Sequence, residues 1–137
     1  MRTGRTKKGE IDMADVNSFF DTPDTTAEYD PKDIQDNKIM AVLAYIGILL
    51  LIPLFAAKNS KFARFHVNQG LPLMIVGLAI GIISIPLGLI PIVRIITGII
   101  FGLAGICVLV LAILGIVNAA TGKAKELPLV GKFKILK

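Results

Sequence analysis

Three long apolar stretches follow one another through the last two-thirds of the chain. From Ile39 to Thr121 the only formal charges are on Lys58, Lys61, Arg64 and Arg94. About 20 apolar residues at 1.5 Å each cross a hydrocarbon core of about 30 Å, and a soluble helix of that length would show a polar stripe. The pattern predicts an all-α, polytopic membrane protein with about three transmembrane helices, over about 39–57, 71–90 and 95–120.

Local signals set the expected ends of these helices. Asp30 is a good N-cap, Pro31 suits the first helical position, and the helix that starts there is predicted to run on into the first apolar stretch. Two prolines bracket Gly88 in "IPLGLIP" and predict a turn between the second and third stretches. Gly122 is a natural C-cap for the last helix.

The chain divides into four parts on composition. Residues 1–12 are basic, and because Lys8-Gly9-Glu10 can encode a purine-rich ribosome-binding element, Met13 is interpreted as the natural start. Residues 13–29 form an acidic segment that cannot bury a core and is expected to be disordered. A transmembrane helical domain over 30–122 and a basic juxtamembrane tail over 123–137 complete the chain.

Charge does not point to nucleic acid, although the formal net charge is +5. The bases lie at the edges of apolar stretches, where long side chains snorkel to anionic headgroups. We therefore expect membrane lipids, and no nucleic acid, as partners. The expected interfacial residues are Lys58, Lys61, Phe62, Phe65, Lys123, Lys125, Lys132 and Lys134.

The distribution of bases also predicts a topology. With three spans, the 58–69 loop and the C-terminal tail share one side, and their lysines and Arg64 place that side in the cytoplasm. The N-terminal segment is then outside a bacterial plasma membrane. An even number of spans would instead put both termini in the cytoplasm.

Glycines recur at four-residue spacing in the second and third stretches. Such patterns let two membrane helices approach closely. They indicate either packing of these two helices within one chain, which is favoured, or self-association of the protein. The glycines are Gly77, Gly81, Gly98, Gly102 and Gly105.

The segment "KFARFHVNQG", residues 61–70, places polar groups at the mouth of the second stretch. An unpaired amide is costly there, so these groups are expected to find partners, such as Asn118 at the end of the third stretch. The cluster can be interhelical glue, which is favoured, or a docking surface for a membrane-protein partner. Its members are Arg64, His66, Asn68, Gln69 and Asn118.

No nucleophile, base and orienting group occur together in the sequence, and no catalytic, metal or cofactor site is expected. Three non-enzymatic functions remain open. The chain can be an accessory or scaffold subunit of a membrane complex, a small oligomeric channel or transporter with His66 and Asn68 at its mouth, or an anionic-lipid or stress-responsive membrane protein.

Three segments carry a resemblance to a known family: "FFDTPD", "FARFHVNQG" and "GKAKELPLVGK". Over roughly residues 14–137 the chain resembles small bacterial membrane proteins that are similar to the chloroplast import component, a subunit of the inner-envelope protein translocon. The resemblance implies an integral protein of the bacterial plasma membrane with no known enzymatic activity and an undetermined molecular role. Protein import or translocation is one process in which the accessory or scaffold subunit can act.

Overall fold

A computed structural model describes residues 17–18, 20–133 and 135. It contains four helices, which are α1 (Pro31–Leu43), α2 (Leu51–Ala56), α3 (Lys61–Leu87) and α4 (Pro91–Ala120), and the 3₁₀ turns Thr26–Glu28 and Gly47–Leu50. Among the described residues the only β pairing is an isolated bridge between Asp24 and Lys125. The expectation of an all-α protein is confirmed.

Helices α3 and α4 form an antiparallel hairpin. They have 27 and 30 residues, and both are long and apolar enough to cross a membrane. The predicted turn between them is confirmed, since α3 ends at Leu87 and Pro91 opens α4, where its missing N–H is harmless. The segment 61–70 forms the first turns of α3, so the loop expected over 58–69 is much shorter.

The first apolar stretch does not form one helix, and the third predicted span is not confirmed. Helix α1 ends at Leu43, and Gly47 adopts a positive φ of 49°, a conformation that glycine allows without a steric cost. Helix α2 then begins, with Pro53 in its first turn. Residues 39–57 are called the re-entrant segment below.

This segment leaves one end of the helix hairpin and returns to the same end. The Ser60 hydroxyl, just before α3, donates a hydrogen bond of 2.6 Å to Asp33 in the first turn of α1. From Asp33 to Leu43 the helix is about 15 Å long, which is about half of a hydrocarbon core. The re-entrant segment therefore reaches only partway along α3 and α4.

Two glycines that the sequence pattern did not single out allow this segment to pack closely against α3 and α4. A Cβ on Gly70 would lie 1.9 Å from the carbonyl oxygen of Ala44, and one on Gly115 would lie 2.2 Å from the ring of Tyr45. By contrast, a Cβ on any of the five predicted packing glycines would meet no atom within 4 Å; these are Gly77, Gly81, Gly98, Gly102 and Gly105. The favoured packing within the chain is thus not seen at those five positions.

The segments 21–30 and 121–133 fold together at the end of the hairpin where α3 begins and α4 ends, and are called the cap. The Thr25 N–H donates to the Ala124 carbonyl at 3.0 Å, and the Glu126 N–H donates to the Pro23 carbonyl at 3.0 Å. Residues 21–29, expected to be disordered, are thus paired with the C-terminal segment.

This pairing also bears on the topology. The two segments of the cap lie at one end of the hairpin. The distribution of bases had instead predicted the N-terminal segment on the side opposite the C-terminal tail. The difference arises because residues 39–57 turn back instead of crossing. The described parts of the two segments, 21–30 and 121–133, thus lie at the same end of the hairpin. The expectations for residues 1–12, the Met13 start and Lys134 lie outside the described residues.

Candidate functional site

The candidate site lies where the first turns of α3 meet the cap. Ser60 caps α3 by accepting a hydrogen bond from the Ala63 N–H at 3.0 Å. The Asp33 carboxylate accepts from the Ser60 hydroxyl at 2.6 Å and from the Phe62 N–H at 3.1 Å. A carboxylate at a helix N-terminus is favoured by the helix dipole. Asp33, which lies in the first turn of α1, therefore fixes α3 to α1.

His66 is fully buried and bonded through both ring nitrogens. Its Nε2 lies 2.9 Å from the Lys123 carbonyl oxygen, and its Nδ1 lies 2.6 Å from the Tyr45 hydroxyl. A carbonyl can only accept, so Nε2 carries the proton; in the neutral ring Nδ1 then accepts from the tyrosine. One imidazole thus connects the re-entrant segment, α3 and the cap.

Aromatic rings surround this histidine. The centroids of Phe62 and Phe65 lie 4.8 Å and 5.1 Å from that of His66, both with edge-to-face geometry. Tyr29 of the cap packs edge-to-face on both phenylalanines. Phe62 was expected at the lipid boundary; it is instead fully buried, because it shares the inner face of α3 with His66.

Gln69 fixes the far part of the cap. Its Oε1 accepts from the Leu127 N–H at 2.8 Å, and its Nε2 donates to the Gly131 carbonyl at 3.1 Å. The side chain is fully buried, and so is Leu127 apart from 2% of its surface. Together His66 and Gln69 hold three backbone groups of the segment 121–133, an arrangement called the clasp below.

The end of α4 directs the chain into the clasp. Gly122, predicted as a C-cap, has a φ of 74°, and the Lys123 N–H donates to the Asn118 carbonyl at 2.8 Å. With the Gly122 bond to Ala119, this is the Schellman ending that favours glycine. The Asn118 side chain donates to the Lys125 carbonyl at 3.4 Å. Asn118 thus bonds to the cap. The expected partner of His66 and Gln69 was Asn118, but both bond instead to backbone groups of the cap.

The other two members of the predicted cluster lie on the outer face of α3. Arg64 and Asn68 are half-buried and line an open pocket of about 410 Å³ with Lys61, Phe65 and residues of the cap. The predicted cluster therefore divides into two parts. His66 and Gln69 point inward and form the clasp, whereas Arg64 and Asn68 line the outer pocket.

The expected interfacial lysines surround this end of the molecule. Lys58, Lys61, Lys123 and Lys132 are exposed and Lys125 is half-buried. In the cap, hydrogen bonds from the Thr26 side chain and backbone lower the pKa of Asp24 below its ordinary value, so this exposed carboxylate stays charged among the lysines.

Among the described residues, no group of three or more histidine, cysteine, aspartate or glutamate side chains lies close enough to hold a metal ion. The polar chemistry of the clasp consists of hydrogen bonds between buried groups. Within the described part of the chain, no buried side-chain nitrogen or oxygen lacks a partner. The clasp is therefore a stable connection between elements, since buried polar groups that are all bonded rigidify a fold.

Comparison with known proteins gives a consistent set of matches. Residues 36–134 match the magnetosome magnetite crystal formation protein family. The chain is 35% identical over 99 residues to magnetosome protein MamF of Paramagnetospirillum magneticum, which covers 72% of this chain and 82% of the relative. It is 32% identical over 93 residues to magnetosome protein MmsF of the same species, covering 67% and 79%.

A third relative is magnetosome protein MamF of Magnetospirillum gryphiswaldense, 31% identical over 96 residues, covering 67% of this chain and 77% of the relative. No solved structure matches the chain. The resemblance to the chloroplast import component was wrong: "FARFHVNQG" and "GKAKELPLVGK" both fall within the region matched by the magnetosome family.

Proposed function

Because the chain belongs to the magnetosome magnetite crystal formation protein family, we propose that it is a non-enzymatic protein of a magnetosome membrane that supports crystal formation as a scaffold. Helices α3 and α4 anchor it, and the cap is the surface on which other membrane proteins assemble. The observation that carries the proposal is the match over residues 36–134, which includes both long helices and every side chain of the clasp.

The clasp supports a role for the cap as a folded surface. A segment that only lay at the membrane interface without a fixed fold would not need a fully buried histidine and glutamine to bind its backbone. Burying polar groups is favourable only when each finds a partner, and here each does. The cap is thus built to keep one shape at the end of the helix hairpin.

The charges support an orientation with the cap in the cytoplasm. Of the described residues, the end of the hairpin opposite the cap carries only Arg94 as a formal charge, next to the turn at Gly88. Bases concentrate on the cytoplasmic side of membrane proteins. The bases near the cap are Lys32, Lys38, Lys58, Lys61, Arg64, Lys123, Lys125 and Lys132.

No observation favours the channel alternative. It required His66 to line a polar mouth, but His66 is fully buried and bonded through both nitrogens. The groove below the re-entrant segment is lined by apolar residues such as Leu51, Met74 and Val108. Such a lining suits hydrocarbon better than a hydrated ion.

Complementation tests the proposed function. The chain is expressed in Paramagnetospirillum magneticum that lacks its MamF and MmsF, and crystal size and shape are measured by electron microscopy. We expect the wild-type chain to reach the magnetosome membrane and restore crystals, and Gln69→Ala to reach the same membrane without restoring them. Gln35→Ala, the same substitution at an exposed position of α1, should behave like the wild type.

Two results would contradict the proposal. Wild-type protein present in the magnetosome fraction without any change in the crystals would show that it has no role in their formation. Full restoration by Gln69→Ala would show that the folded cap is not the acting surface.

A further inference from the structure

The open pocket on the outer face of α3 has the chemistry of a headgroup site. Its α3 wall is formed by Lys61, Arg64 and Asn68, which follow at spacings of three and four residues. Residues so spaced lie on one face of a helix. Two cations and an amide therefore converge, and guanidinium and ammonium groups are the side chains that best bind phosphate oxygens.

The opposite wall comes from the cap and has a different character. Glu28 and Tyr29 line the pocket there, together with Phe65 of α3, whose ring packs edge-to-face with that of Tyr29. A carboxylate beside two aromatic rings suits an ammonium ion, which is attracted both by the charge and by the ring faces. The pocket thus offers cations for a phosphate and an acceptor for an amine.

The surface below the pocket is suited to acyl chains. Ile75 and Ile82 follow Lys61 and Asn68 at successive seven-residue intervals, so all four lie along one stripe of α3. Ile75 is 49% exposed and Ile82 is 68% exposed. From Asn68 to Ile75 the rise is about 10 Å, which takes this stripe from the headgroup level into the hydrocarbon.

We propose that this pocket binds the headgroup of a zwitterionic phospholipid with a primary amine. Lys61, Arg64 and Asn68 hold its phosphate, and Glu28 with Tyr29 holds its ammonium. The acyl chains lie along Ile75 and Ile82. The amine distinguishes this lipid from phosphatidylglycerol, whose headgroup offers hydroxyl groups but no cation to the carboxylate.

Native mass spectrometry of the full chain in detergent tests the proposal. The protein is titrated with phosphatidylethanolamine or phosphatidylglycerol of the same acyl chains, and the dissociation constant is read from the adducts. We expect phosphatidylethanolamine to bind more tightly. Arg64→Gln should weaken it about tenfold or more, because a charge-assisted bond is lost. Arg94→Gln, the same change at the other end of the hairpin, should leave it unchanged.

Two further variants separate the walls of the pocket. Glu28→Gln should reduce the preference for phosphatidylethanolamine, because it removes the partner of the ammonium, and it should not weaken phosphatidylglycerol, which is anionic. Lys61→Gln should weaken both lipids, whereas Lys58→Gln, three residues earlier and outside the pocket, should not. Arg64→Lys keeps the charge and replaces Arg64→Gln in the assay if that variant does not fold. Its affinity for phosphatidylethanolamine should fall less than that of Arg64→Gln and more than that of Arg94→Gln.

Three results would overturn the proposal. Equal affinities of Arg64→Gln and Arg94→Gln would show that lipid does not bind in this pocket. A preference for phosphatidylglycerol that Glu28→Gln leaves unchanged would indicate attraction to the basic surface alone. Equal binding of glycerophosphoethanolamine, which has no acyl chains, would identify a site for a soluble phosphate ester. Since binding is measured on the isolated protein, these outcomes are independent of the crystal assay.

Discussion

Gln69 offers the sharpest test of how the cap is held. Gln69→Ala removes the acceptor of the Leu127 N–H and the donor to the Gly131 carbonyl, which lie 2.8 Å and 3.1 Å from the glutamine amide. An orphaned buried backbone group costs about 1–3 kcal/mol, so two cost about 2–6 kcal/mol if the cap stays closed. The cap avoids this cost by opening and exposing both groups to water.

The expected effect is therefore local opening of the cap rather than unfolding of the helix hairpin. At the lower limit of about 2 kcal/mol, the opening equilibrium rises about 30-fold. Hydrogen exchange measured by mass spectrometry on peptides from residues 123–133, with the protein in lipid nanodiscs, reports this equilibrium directly. Peptides from α4 should keep their protection.

Two control variants separate the causes. Gln69→Met keeps most of the side-chain volume but neither hydrogen bond, so it should open the cap nearly as much as Gln69→Ala. Gln35→Ala changes an exposed glutamine and should leave exchange unchanged. Equal exchange over residues 123–133 in Gln69→Ala and Gln35→Ala would refute the clasp as the element that holds the cap.

Two further predictions concern the contacts between helices, both measured as the free energy of unfolding in mixed detergent micelles. Gly70→Ala should destabilise the protein by about 1–3 kcal/mol or more, because its Cβ would lie 1.9 Å from the Ala44 carbonyl oxygen. Gly98→Ala places its Cβ in open space and should be tolerated. Equal effects of the two substitutions would argue against the close approach. Asp33→Ala should lower the free energy of unfolding by about 1–3 kcal/mol, because the start of α3 loses two hydrogen bonds to a carboxylate. Asp36→Ala changes an exposed residue and should lower it little. An unchanged free energy of unfolding in Asp33→Ala would contradict this capping.

The sequence predicted well what depends on local chemistry. The α-helical class, the N-cap at Asp30 and the turn around Gly88 follow from apolar runs and from the backbone preferences of aspartate, proline and glycine, and all three are confirmed. Gly122 belongs with them, because a helix that ends there needs a residue with positive φ.

What depends on contacts between distant residues was not predictable in the same way. The break in the first apolar stretch brings Ala44 and Tyr45 against Gly70 and Gly115, which lie far along the chain. The stretch itself shows only Gly47 and Pro53 as signals, and either is common within a membrane helix. The partners of Gln69 are backbone groups, which leave no trace in side-chain composition.

The re-entrant segment also gives the molecule an uneven cross-section. Next to the cap, α1, α2 and the turn between them add to the width of the helix hairpin, whereas α3 and α4 alone form the opposite end of the described residues. A chain that fills more area in one leaflet than in the other is a wedge. With α3 and α4 across the bilayer in the orientation proposed above, many such wedges would favour curvature with the cap on the convex side.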